Sequence, residues 1–289
     1  MHTTSSEGTK SVNGIQLFVV SEGTGVPVVV VHGAAALGHY YTRPLMDSLA
    51  REFQVIGYDQ RGCGRSSDLP MHEITADAHL ADLEGLRRVL GLERLNLVAH
   101  SLGAYLALLY AARHPETTGS LVLAATAPPF IPEMMEAFGL AFRQRRTPED
   151  VARLSQLRRS EGIKTREPSA MEEYLRILYL PFFKDRDNAS RLNLSFTKAS
   201  ARHVVEAEDA IIPQVLEMKP GDRLREITCP TLVVHASLDA IPQAFAVLLA
   251  EQIPGAELAI LDDASHFAFL EDPTKFNDAV IPFLRKYAR

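Results

Sequence analysis

A chain of 289 residues, 46% hydrophobic and 23% charged, can fill one large α/β core with an insertion, and it is too apolar to be disordered. The net charge of −6 gives no basic footprint for nucleic acid or an anionic bilayer, and no run approaches the roughly eighteen apolar residues of a spanning helix. Two cysteines, Cys63 and Cys229, cannot build a disulfide framework or a zinc site, and neither H-E-x-x-H nor C-x-x-C occurs, so no metal or other cofactor is expected.

The first segment, "MHTTSSEGTKSVNG", lacks the apolar stretch of a secretory signal, and a cytoplasmic protein is expected. A half-alternating run from Ile15 to Val20 leads into the turn signal "SEGTGVP". "VPVVVVHG" follows, and its β-branched run at 28–31 is of the kind buried on both faces of a parallel sheet. Strand and helix then alternate. A strand at 53–59 precedes a helix from about Glu73, with Ala76, Leu80, Leu83, Leu86 and Leu90 on one face. A strand at 95–99 precedes a helix at 102–113 that is apolar nearly all round and is stopped by His114-Pro115. "SLVLAA" is one more strand. This alternation predicts right-handed crossovers and a parallel sheet.

From 128 to 222 the pattern changes to helices alone: "PEMMEAFGLAFRQRR", "PEDVARLSQLRRS", "AMEEYLRILYL" and "VVEAEDAIIPQVLEM". Charge is balanced there at fifteen basic and fifteen acidic residues, which leaves the whole net −6 on the rest of the chain. The expected organisation is an α/β core at 1–127 and 223–289 with an inserted helical cap at 128–222. Six arginines between 143 and 159 read as a solvated helix face, since Glu149 and Asp150 lie among them. Alternation resumes with a strand at 230–236, a helix at 243–251, a strand at 256–262 and a last helix at 273–287.

The sharpest feature is "AHSLG", where a polar pair interrupts the passage from strand to helix. A serine at such an apex stands above the carboxyl edge of the sheet, where open α/β folds bind ligands. The turn strains the serine backbone, and only small residues two positions away avoid collision; Ala99 and Gly103 meet that need. A serine hydroxyl near pH 7 requires a base, and the base an orienting carboxylate. Those groups should follow in the order serine, acid, histidine, each in a loop after a strand. "LVVHASLDAIP" supplies Asp239 and "ILDDASHFAFLEDP" supplies His266. The candidate catalytic set is therefore Ser101, Asp239 and His266.

Competing readings exist for each. Asp239 suits an N-cap of the following helix, in which case Asp262 or Asp263 would take its place. His100 adjoins the serine but points elsewhere at an elbow, and reads as a structural hydrogen-bonder; His235 ends a strand and reads as packed. The developing oxyanion requires backbone donors. Leu102, at the start of a helix, supplies one, and Ala34 in "HGAAALG" the second. Pocket candidates are His39 and Tyr40 at the mouth of the site, and Phe130, Met134, Phe138, Tyr179 and Phe182 from the cap. Each is also well explained by packing.

"VVVVHG", "YDQRGCGRSS", "AHSLG", "VVHASLD" and "SHFAFLEDP" together resemble the α/β-hydrolase superfamily along nearly the whole chain, and "DQRGCGRS" resembles its proline iminopeptidase branch. The resemblance implies a mostly parallel sheet flanked by helices, an inserted cap, and a triad at Ser101, Asp239 and His266. It implies that "DQRGCGRS" is a scaffold turn. The chain departs from that branch in having "HGAAA" for H-G-G-P-G, Leu102 where the branch has tryptophan, and no tryptophan at all. Glu172, Glu173, Glu206 and Glu208 are candidate substitutes for the branch's amine-binding carboxylates, but none matches residue by residue, and each also reads as exposed helix charge. The expected activity is cleavage of a small-molecule carboxylic ester or amide through an acyl-enzyme, with no nucleic-acid or membrane partner. Alternatives are a prolyl aminopeptidase, a carbon–carbon bond hydrolase, and a ligand-binding receptor on a hydrolase scaffold. The sequence does not set an oligomeric state.

Overall fold

The computed structural model describes residues 5–33, 37–126, 132–204, 206–218 and 220–289. Eight strands form one sheet: β1 (Ser5–Val12), β2 (Ile15–Glu22), β3 (Pro27–Val31), β4 (Gln54–Tyr58), β5 (Leu95–His100), β6 (Thr118–Ala124), β7 (Thr231–Ala236) and β8 (Glu257–Leu261). Their spatial order is β1-β2-β4-β3-β5-β6-β7-β8. Pairing is parallel from β4 across to β8, and antiparallel for β1–β2 and β2–β4.

Among the described residues, twelve α-helices accompany the sheet. α1 (Arg43–Leu49), α2 (Ala76–Val89) and α3 (Leu102–Arg113) belong to the first half. Between β6 and β7 come α4 (Pro132–Gln144), α5 (Pro148–Arg159), α6 (Glu161–Lys164), α7 (Pro168–Tyr179), α8 (Lys198–His203) and α9 (Ala207–Glu217), with no strand among the described residues there. α10 (Ala244–Gln252), α11 (Ala268–Glu271) and α12 (Pro273–Tyr287) complete the chain. Among the described residues no helix is long and apolar enough to cross a membrane.

The β-branched strands are buried on both faces. Val28 and Val30 of β3 pack into one core with Leu45, Met46 and Leu49 of α1 and Phe276, Val280 and Leu284 of α12. Val29 and Val31 enter the opposite core with Leu80, Leu83 and Leu86 of α2 and nearly all of α3. Alternate residues of one strand thus serve two layers, and each fully buried valine contributes about 1.5–3 kcal/mol.

The N-terminal strand departs from expectation. β1 has seven of its eight residues exposed, so no apolar alternation marks it. Its partner is fixed instead by Asn13-Gly14, a two-residue hairpin loop with φ of 49° and 84°, which brings Val12 opposite Ile15. Asn-Gly suits this turn because both residues tolerate positive φ.

The strand order also places the site. After β3 the chain moves to β4 on one side, then returns to β5 on the other. Where the order reverses, the connections leave in opposite directions and a crevice opens at the strands' carboxyl ends. Gly33 and Ser101 stand at that crevice.

Candidate active site

Ser101 ends β5 and begins α3 with φ 54° and ψ −123°, a conformation costly for a residue with a Cβ. Its N–H donates to Ala124 O at 3.0 Å, so the strain is held by the sheet next door. A serine at a helix start ordinarily caps its own helix. Here the hydroxyl makes no such bond. Gly103 is required for the same turn: a Cβ there would stand 2.2 Å from His32 O and 2.7 Å from Val31 O. A Cβ on Gly33 would likewise meet His100 O at 2.5 Å and Ser101 Cβ at 2.8 Å. Backbone from β3 and β5 can touch only because both positions are glycine. α3 is buried from Leu102 to Ala112, as its all-round apolar sequence predicts.

Asp239 and His266 are brought together. Asp239 Oδ2 lies 2.9 Å from His266 Nδ1, and both side chains are almost wholly buried. A carboxylate only accepts, so Nδ1 carries the hydrogen and Nε2 is left as the basic nitrogen. Asp239 Oδ1 accepts Ile241 N–H at 2.9 Å. Burial pushes the Asp239 carboxyl pKa up. The electrostatic attraction and hydrogen bond of His266, with smaller help from His235 and the Ile241 N–H, outweigh burial and hold it below the ordinary value. Asp239 is not a helix cap, because α10 starts at Ala244 behind Gln243. Asp263 pairs with Lys184 and Asp262 with Ser237, both at the surface. The His266 ring lies 4.7 Å from that of His100, the residue before Ser101.

The sequence pattern of the alpha/beta hydrolase fold matches residues 26–273 of this chain. The chain belongs to that family. It is 26% identical to a proline iminopeptidase of Saccharolobus solfataricus over 96% of this chain and 92% of that one. It is 28% identical to a 2-hydroxy-6-oxononadienedioate/2-hydroxy-6-oxononatrienedioate hydrolase of Pseudomonas putida over 89% of this chain and 87% of the relative. Among solved structures, an esterase from Thermogutta terrifontis with malate bound superposes with a TM-score of 0.71, 28% identity and full coverage of both chains. The protein is an alpha/beta hydrolase by fold and by kinship, and the resemblance to the iminopeptidase branch is real.

Around the hydrolase site the other expectations fare unevenly. His39 is held by a buried carboxylate: its backbone N–H and Nδ1 both contact Asp59 Oδ1 at 2.7 Å, and the Tyr40 ring lies tilted 4.3 Å from the His39 ring. The other carboxylate oxygen of Asp59 accepts the Arg65 N–H at 2.8 Å. This is the "DQRGCGRS" turn acting as scaffold: a Cβ on Gly64, at φ 48°, would fall 2.2 Å from Asp59 Oδ2, and Arg61 forks onto Asp82 at 2.7 and 2.8 Å. Ala34 and Phe130 lie outside the described residues.

The helices between β6 and β7 bring aromatic rings to His266. Phe182 stacks on the His266 ring at 4.1 Å, and its carbonyl accepts the His266 N–H at 3.2 Å. Tyr179 and Phe138 reach Phe182 at 6.0 and 6.2 Å, and Phe142 at 4.8 Å. Met134 is half-buried on the same helix as Phe138. The arginine run is not simply a solvated face. Arg145 donates to the carbonyls of Pro181, Leu238 and Asp239, Arg146 to that of Leu178, and Arg158 to Tyr174 Oη. Those acceptors are carbonyls and a phenol distant in sequence, and no charge pattern could have disclosed them. Glu271, unnoticed in the sequence, joins the histidine loop to the cap: its carboxylate accepts from Ser265, from the N–H groups of Lys184 and Asp185, and from Asn188.

Three buried histidines make the hydrolase acid-sensitive. Burial, the largest cause in each, lowers His32 to about 4 and His79 and His100 to about 3. The fold accepts them only as neutral rings, whereas the unfolded chain protonates near 6.5. Their stabilisation is therefore complete above about pH 6.5 and is lost as pH falls toward their folded values, at about 1.4 kcal/mol per unit for each ring. Thermal unfolding followed from neutral pH down to about pH 4.5 should show a steadily falling midpoint, with proton uptake on unfolding. A midpoint independent of pH over that range would contradict these burial assignments.

Proposed function

We propose that this hydrolase cleaves small carboxylic esters through an acyl-enzyme, without a cofactor. The observations that carry the reading are the strained Ser101 elbow, its hydroxyl not spent on capping, and the buried Asp239–His266 pair, whose imidazole lies 4.7 Å from the ring of His100, the residue before the serine. Ser101 Oγ attacks the ester carbonyl and its proton passes to His266 Nε2. The Leu102 N–H, at the positive end of α3, receives the oxyanion, with the N–H of Ala34 as second donor. The tetrahedral adduct collapses, and His266 returns the proton to the departing alcohol. Water then repeats the sequence on the acyl-enzyme, regenerating Ser101 and releasing the acid. Residues 128–222 act as the cap. Met134, Phe138, Tyr179 and Phe182 shape an apolar binding face beside His266.

An aminopeptidase would need free carboxylates to hold the substrate's amine. Two of the four candidate carboxylates are engaged, Glu173 by Arg153 and Glu206 by Arg166, which weighs toward an uncharged ester over an N-terminal proline substrate. The kinship with an iminopeptidase keeps the prolyl reading as the second one. Turnover of a p-nitrophenyl acyl ester compared with a proline naphthylamide separates them. The ester should be preferred by about a hundredfold or more in kcat/KM, the scale on which an unanswered charged group is rejected. Faster turnover of the naphthylamide would reverse the assignment.

A further inference from the structure

We propose that Tyr41 and His100 are positioning residues of the hydrolase, forming a buried relay that sets the spacing between the loop after β3 and the loop that carries His266. This rests on the serine-hydrolase reading above. His100 Nε2 lies 3.0 Å from His266 O, and a carbonyl only accepts, so Nε2 carries the hydrogen. In a neutral ring Nδ1 is then bare, and it accepts the Tyr41 hydroxyl at 3.1 Å. Tyr41 has thereby spent its hydrogen, and its oxygen accepts the N–H of Gly33.

The relay crosses the strand order at the crevice. Gly33 follows β3, His100 ends β5, and His266 follows β8, so one line of hydrogen bonds joins three segments that converge on the reacting centre. It is dry. Tyr41 and His100 are 2% and 1% exposed, and Phe267 and Phe269 pack against both rings. In such surroundings an unmade hydrogen bond is costly, and the network holds its members rigidly when complete. The titratable groups facing His266 are Asp239 from the loop after β7, His235 from β7 and His100 from β5; His100 faces it as a neutral donor to the main chain.

Tyr41→Phe keeps the ring and removes the hydroxyl, leaving Gly33 N–H and His100 Nδ1 without their partner. With a p-nitrophenyl ester, kcat should fall by about ten- to fiftyfold and KM stay within about threefold. Affinity for an alkylboronic acid, which mimics the tetrahedral adduct, should fall by the same factor, while affinity for the product carboxylate should not change. The double variant Tyr41→Phe/His100→Leu should be no more than about threefold slower than the slower single variant. Tyr110→Phe is the control. It removes a buried hydroxyl bonded to Glu84 and Thr117 on the far side of α3, so it should lower the melting temperature and leave kcat per folded molecule unchanged. Nitrogen-15 spectra of the wild-type imidazoles give a readout that needs no variant to fold: His100 should be a neutral Nε2–H tautomer at about pH 5.

Unchanged kcat in Tyr41→Phe, a loss confined to KM, or a His100 ring protonated on Nδ1 would overturn the proposal. If the wild type neither turns over the ester nor reacts at Ser101, the serine-hydrolase reading fails by itself, whatever the spectra show. Active wild type with equally active Tyr41→Phe removes only the relay.

Discussion

Ser101→Ala is expected to lower kcat for ester hydrolysis by about 10⁴- to 10⁶-fold with KM nearly unchanged, because the covalent route disappears while the binding face remains. The size of the effect follows from what no neighbour can replace. His100 is committed to Tyr41 and to the His266 carbonyl, and its pKa, lowered to about 3 by burial and by the His266 charge, keeps it neutral but leaves no exposed nitrogen for attack. Both cysteines are buried, and burial raises Cys229 to about 11, so no thiolate substitutes. Alanine at 101 also relieves no packing, since α3 is anchored by Gly103 against His32 and by its own buried length. The variant should therefore fold as the wild type does. Steady-state kinetics with matched circular dichroism check this, and a loss of less than about tenfold would remove the serine from the chemistry.

Asp239→Asn is the second large effect, and its direction follows from the other oxygen. Asp239 Oδ1 accepts the Ile241 N–H, so in asparagine the amide oxygen keeps that position and the NH₂ group faces His266 Nδ1. Nδ1 must then accept, which puts the ring hydrogen on Nε2 and deprives Ser101 of its base. A fall in kcat of about 10³- to 10⁴-fold at neutral pH is expected, with the fold intact. The carboxylate is also lost as a partner for the imidazolium, which adds to the effect. Activity within about tenfold of wild type would mean that Asp239 does not orient the base.

How far the sequence was legible depended on how locally each feature is written. Strands buried on both faces, such as β3 and β5, are continuous apolar runs, and α3 and α12 fall on the expected residues because Pro115 and Pro273 punctuate them. The strand–loop placement of Asp239 and His266 was readable because each sits just past a strong strand. β1 was missed because an exposed edge strand carries no apolar period; the Asn-Gly turn was its one signal. The hold of Asp59 on His39, twenty residues back, was not legible, because a buried carboxylate's choice of donor is a tertiary matter. The same holds for Arg145, whose acceptors are carbonyls. Main-chain oxygens have no identity in a sequence, so the contacts that join the cap to the loops of Asp239 and His266 could appear only with coordinates.

These contacts bear on how the hydrolase works. The His266 main chain donates to Phe182 O of the cap and accepts from His100 of the core, so the loop is held from both sides while the ring is held by Asp239 and Phe182. Under the proposed mechanism, preorganisation of this kind holds His266 in place before substrate arrives and spares the reaction the cost of ordering it.

The most direct measurement is covalent. The intact chain treated with a fluorophosphonate should gain one adduct, peptide mapping should place it on Ser101, and Ser101→Ala should gain none. Folded protein that takes up no adduct, or carries it elsewhere, would contradict the nucleophile and leave a ligand-binding receptor on a hydrolase scaffold as the better account.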